Sequence, residues 1–240
     1  MNLRLTVLRL ACLVIIGGLM ALTPRVGAAT PAFTWIEGET PTASTIKVAA
    51  DVSAHPEWLS GGKWLLVAID GPEVDKALPG ENLDLTYACT IANTGKKDIW
   101  ARLGFESART NFDWRIDEQP WQHIDSHNLS TDLMELSPFC EVMWLRLGDS
   151  EIATGEHRFE IRVPKTKNAK GQTQRLLFGL DAVCISDGPV HPFSKFKPGE
   201  DPRTEADRAA EKQVFSLPAA PAGGRARCDF AGWDVVDLPG

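Results

Sequence analysis

Tyrosine is nearly missing from this chain: Tyr87 stands alone among 240 residues, and histidine numbers only five. The missing patterns exclude more than the missing residues. His55, His123, His127, His157 and His191 show no HExxH or related spacing, and the chain has no Gly-x-Ser-x-Gly elbow and no glycine-rich phosphate loop. That removes the sequence signatures of zinc proteases, α/β-hydrolases and P-loop enzymes. His123 and His127 beside Asp125 and Asp132 fall in a polar loop, where such residues are ordinary surface. Basic residues are the minority, 25 Lys and Arg against 32 Asp and Glu, a net charge of −7. Nucleic acid and anionic lipid are therefore excluded as partners, because binding phosphate requires a basic surface that releases counterions. The five cysteines include no CxxC pair and no zinc-ligand rhythm.

The apolar stretch at 10–22 is too short to cross a bilayer, which takes roughly 20 residues. Arg4 and Arg9 precede it, and Pro24 and Val26-Gly27-Ala28-Ala29 follow. This is the plan of a secretory signal peptide spanning 1–29, with cleavage after Ala28 or Ala29 and a secreted or periplasmic product, free of the membrane. Cleavage takes Arg4, Arg9 and Arg25 but no acidic residue, so the mature chain is more acidic still. Export permits disulfides among Cys89, Cys140, Cys184 and Cys228. Cys89 and Cys184 lie in strand-like runs, where a buried thiol is equally at home, and the connectivity is left open.

From Thr34 onward, short alternating runs are separated by turn residues. In the run 157–163, Phe159, Ile161 and Val163 point one way and Arg158, Glu160 and Arg162 the other; one face is core and the other wet. Runs at 83–89 and 99–105 behave alike, and 63–69, 113–117, 141–147 and 176–186 are further strand candidates. Strands at this spacing predict an all-β sandwich or barrel over 30–188. Trp100, Trp144 and Phe178 are large enough to build its core if they face inward. Pro and Gly enrich 187–203, read as a linker or as a chain crossing a domain surface. A short helix is expected at 204–212 with Thr204 as N-cap, inside a linker zone of 189–224. The segment 225–240 reads as the truncated start of a following domain.

Five ordered motifs resemble the jelly-roll carbohydrate-binding modules of the galactose-binding-like superfamily, such as families 6 and 35. Trp35-Ile36-Glu37-Gly38-Glu39 resembles their E-x-E opening, and Lys97-Asp98-Ile99-Trp100-Ala101-Arg102 their W-x-R strand. Trp114-Arg115-Ile116-Asp117 with Pro120-Trp121 resembles their D-G-x-x-W hairpin, although Glu118 replaces the usual Gly. Trp144 to Gly148 with Thr154 to Phe159 resembles the W-x-x-L-G and G-x-H pair, and Leu180-Asp181-Ala182-Val183 the closing strand. The resemblance implies a structural calcium between Glu37, Glu39 and Asp181, and hard carboxylate oxygens suit that ion. It also implies a polysaccharide or oligosaccharide ligand and a glycoside hydrolase domain further along the polypeptide.

Sugar recognition needs a flat aromatic platform and neighbouring polar groups. Trp121 and Trp58 are the loop-placed platforms expected from the sequence, with Trp64 third; Arg109, Asn111, Asp117 and Gln122 are the expected hydrogen-bonding residues. The reading is a non-catalytic carbohydrate-binding module tethering a secreted hydrolase to its polysaccharide. The alternatives are a structural or protein-interaction sandwich that packs on a catalytic domain, and last a small hydrolase, for which carboxylate spacing in sequence is uninformative.

Overall fold

The computed structural model describes residues 31–105, 112–125, 127–137 and 140–215. The signal segment, Cys228 and the segment 225–240 lie outside them. Among the described residues twelve strands run in chain order: β1 (Phe33–Glu37), β2 (Ala43–Ser44), β3 (Ala50–Asp51), β4 (Trp64–Ile69), β5 (Asn82–Ile91), β6 (Gly95–Gly104), β7 (Phe112–Ile116), β8 (Gln122–Ile124), β9 (Ser130–Ser137), β10 (Cys140–Ile152), β11 (Gly155–Pro164) and β12 (Leu176–Ser186). Two 3-10 turns, Pro56–Trp58 and Ser60–Gly62, precede β4; helix α1 (Gly71–Ala77) follows it, and helix α2 (Glu205–Phe215) follows β12.

The strands form two antiparallel sheets. Sheet A is ordered β3-β4-β12-β6-β10-β9, with β1 also on β12, and sheet B is ordered β2-β5-β11-β7-β8. From β4 onward the chain crosses between the sheets at every connection except the β7–β8 and β9–β10 hairpins, and the expected jelly-roll sandwich is the observed fold. Each strand of the sequence reading is present. The run 176–186 is reproduced in full, and β11 and β5 pair in register from Gly155↔Ile91 to Pro164↔Asn82.

The two sheets bury different amounts of their surface. In sheet B the alternation is strict: Phe159, Ile161, Val163, Leu83, Leu85, Tyr87, Phe112 and Trp114 are buried, and the residues between them face water. In β12 nearly every residue from Leu176 to Ser186 is buried, which an almost unbroken apolar run requires when both faces are covered. Phe178 joins the inter-sheet core, as expected. Trp100 and Trp144 are buried too, but on the opposite, outer face of sheet A, with Ala182, Cys184 and Val190. Parity decides this: Ile99, Ala101 and Leu103 face sheet B, so Trp100 and Arg102 must face away.

Part of that outer face is covered by chain. The stretch after β12 crosses the domain surface, as one of the two sequence readings held. Val190 is buried on Trp144, and the Trp144 Nε1–H donates to the Ser194 carbonyl at 2.8 Å. Asp132 accepts the Ser194 N–H. We call residues 187–200 the strap. The helix beyond it begins with a reciprocal cap: Thr204 Oγ1 accepts the Asp207 N–H, and Asp207 accepts the Thr204 N–H.

Candidate functional site

The outer face of sheet A divides into three zones. The strap covers the first. The two 3-10 turns cover the second, where Leu59 packs on Trp64, Leu136 and Val142. The third is a groove of about 270 Å³, floored by Leu66 and Ala68 of β4 and by Leu177 and Gly179 of β12. Phe105 and Cys140 wall it, and Glu141 and Arg175 bring charge to its rim. Trp64 closes the end nearest the turns. A Cβ at Gly179 would lie 2.7 Å from the Trp64 ring, so glycine there lets the indole lie flat on β12. Asp51 fixes the ring by accepting its Nε1–H at 2.8 Å. Arg175 is held only loosely: Asp70 is 3.6 Å away and both side chains are mostly exposed, so the guanidinium remains available to a ligand at little cost.

A buried ion pair anchors the second zone. Arg102 and Asp181 are both 0% exposed, and the guanidinium donates to Asp181 Oδ2 at 2.8 Å. The same guanidinium nitrogen donates to the Trp58 carbonyl, and the Ser60 N–H donates to Asp181 Oδ1. The pair thus holds both 3-10 turns to the sheet. Burial pushes the Asp181 carboxyl up to about 7, against the pull of Arg102 and the Ser60 N–H.

Glu37 and Glu39 lie beside these turns. β1 ends at Glu37, and a turn at Gly38 leads to Glu39. Their side chains converge: a Cβ at Gly61 would lie 3.9 Å from Glu39 Oε1 and 4.0 Å from Glu37 Oε2. Glu37 Oε2 and Glu39 Oε2 are buried without a hydrogen-bond donor. Burial, with the Glu37 charge adding to it, raises the Glu39 carboxyl above its usual range. Two orphaned buried carboxylate oxygens are hard donors of the kind a cation uses, although among the described residues no group of three or more His, Cys, Asp or Glu side chains is placed to hold a metal ion. Asp181 does not complete that set in the expected way, because Arg102 already balances its charge.

The expected sugar-binding residues are not brought together. Trp58 lies on the sheet A side with His55 stacked on its ring at 3.9 Å, and its other contacts are with the Leu59–Trp64 cluster. Trp121 follows the register of β8 onto the outer face of sheet B, with Arg115 and Arg162 guanidinium carbons 4.4 and 4.3 Å from its ring centre. Asp117 is occupied by His157 Nδ1 at 2.7 Å and by the Arg158 N–H at 2.8 Å. Gln122 Oε1 reaches toward Gly148 of β10. Arg109 and Asn111 lie outside the described residues. No disulfide joins any two of Cys89, Cys140 and Cys184; Cys89 is in the inter-sheet core and Cys184 under the strap.

Sequence reasoning ranked Trp64 third and missed Phe105, Glu141, Arg175 and Leu177. The available signal was β4, Trp64-Leu65-Leu66-Val67-Ala68, whose outward positions are themselves apolar. In a half-wet strand those positions would be polar.

Among solved structures, the GH26-CBM35 β-(1,4)-mannanase of Podospora anserina is similar to 68% of this chain at 13% identity, with a TM-score of 0.37. The matched part spans 29% of that enzyme. The C-terminal CBM6 of a marine laminarinase from Zobellia galactanivorans is matched over 65% of this chain and 100% of its own length, at 10% identity and a TM-score of 0.37. A CBM35 from Cellvibrio japonicus is matched over 68% and 99%, at 8% identity and a TM-score of 0.37. No family model and no curated protein sequence matches the chain.

Proposed function

We propose that this chain is an exported, non-catalytic glycan-binding module whose ligand lies in the groove on the outer face of sheet A. The observation that carries this reading is an apolar floor, Leu66, Ala68 and Leu177, bordered by Trp64 and by the charged rim of Glu141 and Arg175, as the described residues form it. A pyranose ring has an apolar C–H face and a polar hydroxyl edge, so it suits a floor and rim of this kind. Binding in so shallow a site is weak. Its use is to raise local concentration by tethering a hydrolytic partner to a polysaccharide. The two orphaned carboxylates support a structural calcium held by Glu37 and Glu39; the ion would neutralise their charge and fix the first turn of the domain.

The test is retention of the purified protein in gels containing soluble polysaccharides. Ala68 is exposed on the groove floor, so Ala68→Trp fills the groove without disturbing the core. Retention should fall to that of an inert control while the unfolding midpoint stays unchanged. Full retention by this variant would remove the groove from consideration. Trp121→Ala should retain normally; loss of retention there would move the ligand to sheet B.

Exposed Leu129, Leu133 and Phe193 near the edge strand β9 support a second reading, a sandwich that packs on a neighbouring domain. Leu133→Asp separates the two readings, since it should disrupt domain packing and leave glycan retention intact.

A further inference from the structure

The strap carries an ammonium group to the carboxylate pair. Lys197 Nζ is 3.7 Å from Glu37 Oε1 and 5.8 Å from the centre of the Trp35 ring. The local turn is fixed from within: Glu200 accepts the Lys197 N–H at 2.9 Å, and the Glu200 N–H donates to the Lys197 carbonyl at 3.0 Å. Between this turn and the 3-10 turns lies a cleft of about 520 Å³ onto which Glu37 and Gly61 open. Lys197 thus contacts a site where two carboxylates converge and two of their buried oxygens find no donor, and Lys195 also lines the cleft. Lys63 contributes attraction to Glu39 only as a charge.

We infer that Lys197 and a divalent cation compete for the Glu37–Glu39 pair, so that cation binding loosens the strap from the sandwich. This rests on the reading of that pair as a calcium site. A dication would engage oxygens that the ammonium leaves unpaired, and it would repel Lys197 from the same carboxylates. The Lys197–Glu37 pair is partly exposed, 41% and 27%, so it is weak enough to displace. Competition is reciprocal: whatever the strap costs the cation in affinity, the cation costs the strap in attachment. Phe193 is already exposed, and Val190 and Ser194 are the buried residues in this part of the strap, so displacing Lys197 removes the strap's ion pair to the carboxylates. The result is a surface segment whose release reports cation concentration.

The experiment uses the full chain, freed of metal with chelator. Calcium chloride is titrated calorimetrically into wild type, Lys197→Met and Glu37→Gln, and trypsin cleavage after Lys195 is timed with and without calcium. Lys197→Met should bind up to about five-fold more tightly than wild type, the most that a pair of this exposure can contribute. Calcium should accelerate cleavage after Lys195 in wild type, and Glu37→Gln should lose both responses. Equal affinity in wild type and Lys197→Met, or slower cleavage with calcium, overturns the competition while leaving the cation site in place. Failure of all three proteins to bind calcium overturns both, and the glycan-retention result stands apart from either outcome.

Discussion

The outer faces of the two sheets take opposite solutions to the same problem. Sheet B turns a ladder of paired polar groups to water: Arg162 to Asp84, Arg115 to Glu160, His123 to Asp113 and Arg158 to Glu118. Sheet A turns tryptophans and a buried ion pair outward and covers them with chain. A wet face tolerates any pairing, because solvent screens each error. A covered face must satisfy every polar atom within the protein, so the Arg102–Asp181 contact specifies which turns cover it. The groove is the part of sheet A where the apolar surface continues beyond the strap and the turns, among the described residues.

Four variants would break or sharpen that contrast. The largest effect is expected at Asp181→Ala, which leaves a buried guanidinium that cannot lose its proton. It should cost about 3–5 kcal/mol in denaturant unfolding, and a cost below about 1 kcal/mol would show that water reaches Arg102. Next is Trp144→Phe, which deletes the bond to the Ser194 carbonyl and part of a buried ring. We expect a loss of about 1–2 kcal/mol, with faster trypsin cleavage after Lys195 as the sign that the strap itself has loosened. On sheet B, Arg162→Ala removes a ring contact and a half-exposed pair; its expected cost is under about 1 kcal/mol, and it should shrink with added salt. A loss as large as that of Asp181→Ala would erase the difference between the faces.

The smallest effect is confined to acid. Burial pushes the Asp117 carboxyl up, but His157 and Arg158 together outweigh it and hold the group below its usual range. A depressed folded pKa means that the unfolded chain takes up the proton first as pH falls. The stabilisation is therefore complete above the ordinary carboxylate range near 4 and is lost as pH drops through the folded value. Asp117→Asn should narrow its stability gap to wild type below about pH 4, measured by unfolding midpoints across pH 2.5 to 6. A constant gap would mean that Asp117 contributes through turn geometry alone, its φ of 50° being one that Asn also adopts.

Much of the fold was legible because sheet B follows the simplest rule in the sequence. Phe159-Glu160-Ile161-Arg162-Val163 states its inner and outer faces by itself, and the turn residues around it mark its ends. The candidate site was legible only in pieces. Glu37 and Glu39 were found, but their cationic neighbour Lys197 sits in a Pro- and Gly-rich stretch that read equally well as linker. Trp121 and Trp58 were chosen for their places beside loops. The register of β8 sends Trp121 to the outer face of sheet B, and His55 covers Trp58.

Taken alone, the sequence determined seven of the strands, the all-β class and which residues of β5, β7 and β11 meet the core, because alternation at period two is a local property of an extended chain. The tertiary structure alone decided what covers β12. Arg102 and Asp181 are 79 residues apart, and the floor of the groove comes from β4 and β12, which meet only when the sheet has formed. Contacts of that kind depend on strand order, and strand order leaves no periodic trace in the residues themselves.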